Sequence, residues 1–304
     1  MKVAFDSRPV NDPRGIGRYT RCILDALRET AGGNELVEAV RPRGADVFHS
    51  PWIDGVRVRT ACPQVVTLHD LVPLKRRSEY LRTGMRFRLR YMAVERAQRI
   101  IVPSEVVARD AVEHLHIDEE RIVVIPEAAA PAMHPSTEDE VAGVRERYGL
   151  PDQYLLWVGG LEHPDPRKRV SALAETPRDM PLVLVGPTKP WAHDLPDVTL
   201  TGLVSDEDLA AIYTGARSLV IASDDEGFGL PTVEALACGT PVVACDVPAL
   251  REHFADQVTF VERDDLRSLL ATAALATRPA PDPPAWTWHD AADATWATYR
   301  AAVG

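Results

Sequence analysis

The sequence predicts an α/β fold of two doubly wound domains, and two features of the chain support this prediction. Short runs of apolar and β-branched residues alternate with longer segments of helical periodicity along the whole sequence. Continuous apolar strands separated by helices are typical of parallel sheets that are covered on both faces. The length of 304 residues also fits two domains of ordinary size better than one.

Ten strands are predicted, five in each half of the chain. In the first half they are Lys2–Phe5, Val47–His49, Val65–Leu68, Ile100–Val102 and Ile122–Ile125, and in the second half they are Tyr154–Val158, Leu182–Val185, Val198–Thr201, Leu219–Ala222 and Val242–Ala244.

The domain boundary is predicted within 127–149, a stretch rich in Ala, Pro and acidic residues that has no strand character. We therefore expect an N-terminal domain over residues 1–130 and a C-terminal domain over residues 131–285. The Pro-rich run RPAPDPPAW stiffens the segment before the last helix. We expect residues 286–304 to cross back to the N-terminal domain.

The composition excludes several classes of protein. Residues 1–150 hold 23 Lys and Arg against 22 Asp and Glu, and residues 151–304 hold 11 Lys and Arg against 23 Asp and Glu. The resulting net charge of −11 argues against nucleic-acid binding. The four cysteines form no C-x-x-C pair, so we expect neither a zinc site nor a disulfide framework. Without a secretory signal or about 18 consecutive apolar residues, a cytoplasmic protein is expected, or one bound peripherally to the inner face of the membrane.

The strongest motif is SDDEGFGLPTVE, which occupies residues 223–234 between an apolar strand and a helix. The glycines on either side of Phe228 allow the backbone to approach a ligand closely, and the amides at a helix N-terminus favour phosphate or sugar oxygens. Glu226 precedes the glycines and can meet a ligand above the loop. Glu234 lies near the helix start, where a carboxylate can accept hydrogen bonds from ribose hydroxyls.

The run EGFGLPTVEALACGTPVVACDVPALRE resembles the E-x7-E signature of retaining glycosyltransferases of family 4. The resemblance continues through SRPVNDPRGIGRYT, TLHDLVP, IVPSE and VTLTGLVSDEDLAAIY. It implies the GT-B fold, in which two Rossmann-like domains face each other across a cleft. The most similar members are mannosyltransferase-like bacterial enzymes that build cell-surface polysaccharides, glycolipids or natural-product sugars.

The resemblance also implies the reaction. A hexose would move from a nucleotide diphosphate sugar, GDP-mannose or a UDP-sugar, to a carbohydrate, lipid-linked or small-molecule acceptor with retention of anomeric configuration. No second carboxylate stands out as a covalent nucleophile, so we expect a same-face route guided by the leaving phosphate. No D-x-D arrangement suited to a metal is present, so neither a metal nor another cofactor is expected.

Site residues follow from the positions that match the family. The catalytic residues are expected to be Glu226, which holds sugar hydroxyls, His69, which lines the reacting face, and Lys168, which stabilises the leaving diphosphate. The residues expected to bind the donor are Gly15, Gly17, Arg167, Gly227, Phe228, Gly229, Leu230 and Glu234. The stretch LEHPDPRKR is longer than the LEPRKN-like stretch of related sequences, which leaves the register of Arg167 open.

Residues 75–99 contain nine Lys or Arg residues with Met and aromatic residues between them. Such a helix can contact an anionic membrane peripherally, or it can be a solvated helix with one apolar face against its own sheet. Two alternative functions also stay open: a sugar-nucleotide epimerase of the same fold, and a catalytically silent sugar-nucleotide-binding partner of another transferase.

Overall fold

The computed structural model describes residues 1–76 and 84–304, and the chain divides into two compact units. The first unit comprises residues 1–127 together with 286–304, and the second comprises residues 128–285. The end of the chain therefore contributes its final helix to the first unit.

The first unit contains a parallel sheet with six strands among the described residues, in the order β2-β1-β3-β4-β5-β6. The strands are β1 (Lys2–Phe5), β2 (Glu35–Glu38), β3 (Val47–Ser50), β4 (Gln64–Thr67), β5 (Arg99–Val102) and β6 (Ile122–Val124). The described helices are α1 (Gly15–Glu29), α2 (Val72–Lys75), α3 (Gly84–Val94), α4 (Glu105–Leu115) and, from the end of the chain, α11 (Trp288–Val303).

The second unit repeats this architecture with a parallel sheet in the order β12-β11-β10-β7-β8-β9. Its strands are β7 (Leu155–Val158), β8 (Leu182–Val185), β9 (Val198–Gly202), β10 (Ser218–Ile221), β11 (Val242–Cys245) and β12 (Val258–Val261). Its helices are α5 (Glu138–Tyr148), α6 (Val170–Glu175), α7 (Asp206–Gly215), α8 (Leu230–Ala237), α9 (Pro248–Phe254) and α10 (Leu266–Ala274).

All ten predicted strands are confirmed, and both sheets are parallel as expected. The prediction lacked β2 and β12, which are edge strands of their sheets. These two strands read ELVE and VTFV, with exposed residues among the apolar ones. The other two edge strands, β6 and β9, contain no exposed residue and were predicted, so exposed positions within a strand, and not its place at the edge, explain the two omissions.

Each sheet reverses its winding at one place. In the second unit the chain builds β7, β8 and β9 outward in one direction, and then returns to place β10 on the other side of β7. In the first unit β2 and β3 lie on opposite sides of β1. The loops that leave the carboxyl ends of strands at such a switch point diverge, and open α/β sheets bind their ligands in the crevice between them.

The final helix α11 is joined to the first sheet by a buried polar chain. The hydroxyl of Tyr299 lies 2.5 Å from His49 Nδ1, and His49 Nε2 lies 2.9 Å from the hydroxyl of Thr67, which also contacts Tyr19 at 3.0 Å. Burial lowers the pKa of His49 to about 3, so its ring is neutral. One ring nitrogen therefore donates a hydrogen bond to a hydroxyl, and the other accepts one from a hydroxyl. Among the described helices, none is long and apolar enough to cross a membrane.

Candidate functional site

Two loops at the switch point of the second sheet carry most of the predicted site residues. One loop follows β7 and contains Arg167, and the other follows β10 and contains Glu226. Arg167 Nη1 lies 3.3 Å from Glu226 Oε2, and the amide of Asp224 donates to the Arg167 carbonyl at 3.1 Å. The side chains of Arg167 and Glu226 are 13% and 18% exposed, so this ion pair is sheltered but reachable by a ligand.

Lys168 lies beside the end of β7. Its ammonium nitrogen is 5.7 Å from the centre of the Trp157 ring, a distance at which a cation is attracted to an aromatic face. A methyl group on Gly159 would come within 3.0 Å of the same nitrogen. The Lys168 side chain therefore runs back along the strand end, where Gly159 leaves room for it.

The backbone of residues 227–230 has the form expected of an anion site. The amides of Phe228, Gly229 and Leu230 donate to no protein acceptor in the described parts of the chain. Gly229 has a φ of +104° and caps α8, and Pro231 occupies the first turn of that helix. Three unpaired amides at a helix N-terminus, together with its positive dipole end, favour a phosphate or sugar oxygen.

The side chain of Phe228 is buried, and its ring centre lies 4.9 Å from His253 and 5.5 Å from Phe254. These contacts hold the ring in the interior of the second unit. Any contact of Phe228 with a ligand must therefore use its amide, because the ring is committed to packing.

Glu234 differs from Glu226 in its surroundings. It is only 2% exposed, and its Oε2 lies 3.3 Å from the hydroxyl of Tyr213 on α7. Buried carboxylates need hydrogen-bond donors around them, and Tyr213 supplies one. A role for Glu234 in binding ribose stays a prediction.

In the first unit, His69 follows β4 and contacts groups from two other strand ends. Its Nδ1 lies 2.9 Å from Glu127 Oε1, beyond β6, and its Nε2 lies 3.0 Å from the carbonyl oxygen of Pro51, beyond β3. The Tyr19 ring packs against it with a centroid distance of 4.5 Å. The structure thus pairs His69 with Glu127, an acid that the sequence analysis did not select.

A second acid at the first sheet was also overlooked. Asp6 directly follows β1 and is fully buried, and it accepts two hydrogen bonds from the guanidinium of Arg8, at 2.8 and 2.6 Å, and one from Trp52 Nε1 at 3.2 Å. Burial raises the pKa of Asp6, but these hydrogen bonds and the Arg8 charge together bring it below its ordinary value. The signal that could have found Asp6 is its place directly after the first strand, at the switch point of its sheet.

Gly15 and Gly17 differ in position at the start of α1. Gly15 is exposed, whereas Gly17 is buried and its amide donates to the Arg14 carbonyl at 3.0 Å. A Cβ on Gly17 would lie 1.9 Å from the carbonyl oxygen of Asp12. Gly17 thus lets α1 pack against the preceding turn, and donor binding by the two glycines stays a prediction.

Gly17→Ala is expected to lower the free energy of unfolding by about 2–3 kcal/mol, because the methyl group would collide with the Asp12 backbone, which cannot move as a flexible side chain could. Denaturant titration measures the effect. Gly143→Ala is the matched control, because Gly143 lies within α5 with nothing within 4 Å of an added Cβ. That control should gain up to about 1 kcal/mol from helix propensity. Equal stability of Gly17→Ala and the parent protein would contradict the packing role.

The basic segment 75–99 is described in part, and residues 77–83 lie outside the described residues. Lys75 pairs with Asp110 at 3.0 Å and Arg90 with Asp54 at 2.5 Å. Tyr91 is buried, whereas Met92 is 48% exposed. Contact of this segment with a membrane stays a prediction.

No group of three or more His, Cys, Asp or Glu residues that could hold a metal ion occurs in residues 1–76 and 84–304. None of the four cysteines forms a disulfide bond in the structure.

Comparison with known proteins agrees with this architecture. A model described as "Glycosyltransferase Family 4" matches residues 5–130, and one described as "Glycosyl transferases group 1" matches residues 152–277. The O-antigen chain mannosyltransferase B of Escherichia coli is 30% identical over 346 residues, covering 89% of each protein. The serotype-specific mannosyltransferase WbdA of Escherichia coli is 29% identical over 225 residues, covering 66% of this chain. The chain spans only about a quarter, 27%, of the length of WbdA.

Among solved structures, Anabaena HepE in complex with UDP-glucose superposes with a TM-score of 0.68 at 16% identity, covering 99% of this chain and 95% of HepE. This likeness concerns the fold. Two parallel six-stranded Rossmann-like units of this kind are the architecture of the GT-B fold. The chain belongs to glycosyltransferase family 4, which confirms the family expected from the E-x7-E motif.

Proposed function

We propose that this glycosyltransferase moves a hexose from a nucleoside diphosphate sugar to a glycan, lipid-linked or small-molecule acceptor, with retention and without a metal. The proposal depends chiefly on one observation, the three unpaired amides of residues 228–230 beside the Arg167–Glu226 pair. Amides and cations suit the oxygens of a diphosphate, and a carboxylate suits sugar hydroxyls.

The proposed roles in the second unit follow the charge that develops in the reaction. Cleavage of the glycosidic bond places negative charge on the leaving diphosphate, and the unpaired amides and Lys168 would stabilise that charge. Glu226 would orient the sugar by accepting hydrogen bonds from the sugar hydroxyls. Glu234 would accept hydrogen bonds from the ribose hydroxyls. In the first unit, His69 is proposed to act on the reacting sugar.

The identity of the donor and acceptor is a further part of the proposal. Two relatives are mannosyltransferases by name, and one of them acts on the O-antigen chain by name, which favours GDP-mannose and a polysaccharide or glycolipid acceptor. HepE was solved with UDP-glucose, which makes a UDP-sugar the second donor to test.

A thermal-shift screen tests donor binding first. GDP, UDP and ADP and their sugar derivatives are added with and without EDTA, and a ligand that binds the native state raises the unfolding temperature by mass action. We expect one nucleoside diphosphate and its sugar to raise it, equally with EDTA. No shift with any nucleotide would contradict the proposed donor class.

Product analysis then separates transfer from its alternatives. NMR of the anomeric proton should show a product with the donor's configuration only when acceptor is added. A changed sugar nucleotide without acceptor would indicate an epimerase, and donor binding without turnover across an acceptor panel would indicate a silent partner.

A further inference from the structure

The hydrogen bonds of His69 determine how many protons its pair with Glu127 holds. The carbonyl oxygen of Pro51 can only accept a hydrogen bond, so the Nε2 atom 3.0 Å away must carry a hydrogen. The Nδ1 atom lies 2.9 Å from Glu127 Oε1. An unprotonated nitrogen and an ionised carboxylate cannot bond to each other, so a second proton must lie between these two atoms.

Burial makes this second proton hard to remove. The side chain of Glu127 is 5% exposed and that of His69 is 26% exposed. Loss of the proton would leave a lone pair against a carboxylate where water can do little to screen them. Burial by itself lowers the pKa of His69, but the hydrogen bond and charge of Glu127, the Pro51 carbonyl and the charge of Asp70 together raise it above its ordinary value.

The other groups around His69 do not replace Glu127 in this role. Tyr19 presents its ring, and its hydroxyl bonds instead to Thr67. His49 is neutral and buried in its own hydrogen-bonded chain. Asp70 acts on the ring through its charge, whereas the two ring nitrogens bond to Glu127 and to the Pro51 carbonyl. Glu127 is therefore the acid that shares the proton.

We propose that Glu127 is a positioning residue for the transfer reaction. Glu127 keeps His69 protonated and fixes its ring between two strand ends. This proposal rests on the proposed function, since it assigns how His69 takes part. Because both ring nitrogens are engaged inside the protein, His69 acts on a ligand through its positive charge and its ring edge and offers no nitrogen lone pair. The backbone of Glu127 is held in turn, because Trp286 Nε1 donates to its carbonyl oxygen at 2.6 Å.

The sign of the pH dependence follows. The pKa of His69 is raised above its ordinary value, so the folded protein keeps the proton of the pair at pH values where a free histidine would lose it. The pair loses this proton as the pH rises through the pKa of the folded protein. We expect transfer activity to fall along the same alkaline limb. The contribution of the pair to stability should be lost over the same interval.

The charge and the geometry of the pair can be separated with Glu127→Gln. The amide group of Gln can donate to Nδ1 of a neutral His69, so the ring keeps its place but loses its charge at neutral pH. The first measurement is an NMR titration of histidine-labelled full-length protein, in which the His69 signal is the one missing from His69→Asn. The midpoint for His69 should fall by about one pH unit or more in Glu127→Gln, which is tenfold or more in proton affinity.

Glu29→Gln is the matched control. It removes the acid of another histidine–glutamate pair, in which His289 Nε2 lies 2.7 Å from Glu29 Oε2, but both side chains are largely exposed, at 59% and 63%. The His69 midpoint should be unchanged in Glu29→Gln. A His69 midpoint that is equally unchanged in Glu127→Gln would overturn the shared proton, and this arm needs no transferase activity.

The second measurement is kcat/KM against pH. Glu127→Gln should be about tenfold less active than the parent protein near pH 8 and should approach it as the pH falls and His69 regains its proton. A loss of the same size at every pH would show a structural role and overturn the positioning proposal, as would no loss at all. If neither protein transfers sugar while the NMR shift is present, the proposed function fails and the shared proton stands.

Discussion

Glu226→Gln is expected to lower kcat by about 10²–10³-fold while leaving the protein folded. The carboxylate lies 3.3 Å from Arg167 Nη1, and the Gln side chain can keep an oxygen at this position. The change therefore removes one negative charge and one strong acceptor for sugar hydroxyls with little change of shape. A hydrogen bond to a charged group that strengthens in the transition state affects turnover more than ground-state binding.

Steady-state kinetics with the donor identified by the thermal-shift screen would measure the change. Glu207→Gln is the control, because it makes the same substitution at an exposed position on α7 of the same unit. The control should retain normal kcat and KM. Near-normal kcat in Glu226→Gln would refute the assigned catalytic role. If kcat is unchanged but KM is higher, Glu226 binds the donor without assisting the reaction.

The inner strands and the main loop motif could be predicted because their signals are local. A strand buried on both faces is mostly apolar, and β8 (LVLV) and β11 (VVAC) are apolar at every position. The motif at 223–234 keeps its glycines, proline and acids within one turn and one helix start. The strands β2 and β12 were not predicted, because exposed residues within them interrupt the continuous apolar pattern.

The pairings at the sites could not be predicted in the same way, because they depend on topology. Arg167 and Glu226 are 59 residues apart in sequence, and they meet because β10 returns to the side of β7. His69 and Glu127 are 58 residues apart, and the proton between them follows only when the Pro51 carbonyl is also located. The type of a residue and its position after a strand can be recognised from the sequence, but the order of the strands in the sheet decides which residues become partners.

Gly186→Ala is expected to cost about 3–5 kcal/mol of unfolding free energy and to abolish the thermal shift with donor. Gly186 directly follows β8 and has a φ of +144°, a region that residues with a side chain rarely adopt. An added Cβ would lie 2.0 Å from the carbonyl oxygen of Gly159. The clash would push Gly159 away from β8, and Gly159 leaves room for the Lys168 ammonium.

Gly202→Ala isolates the steric part of this effect. Gly202 also has a positive φ, +74°, at the end of β9, but nothing lies within 4 Å of its added Cβ. Backbone strain alone should cost this control about 1–2 kcal/mol and leave donor binding intact. If denaturant titration finds the two variants equally destabilised, strain accounts for both and the contact between Gly186 and Gly159 contributes little. If Gly186→Ala loses stability but still binds donor normally, the loop after β7 tolerates displacement and the proposed position of Lys168 at the leaving diphosphate is wrong.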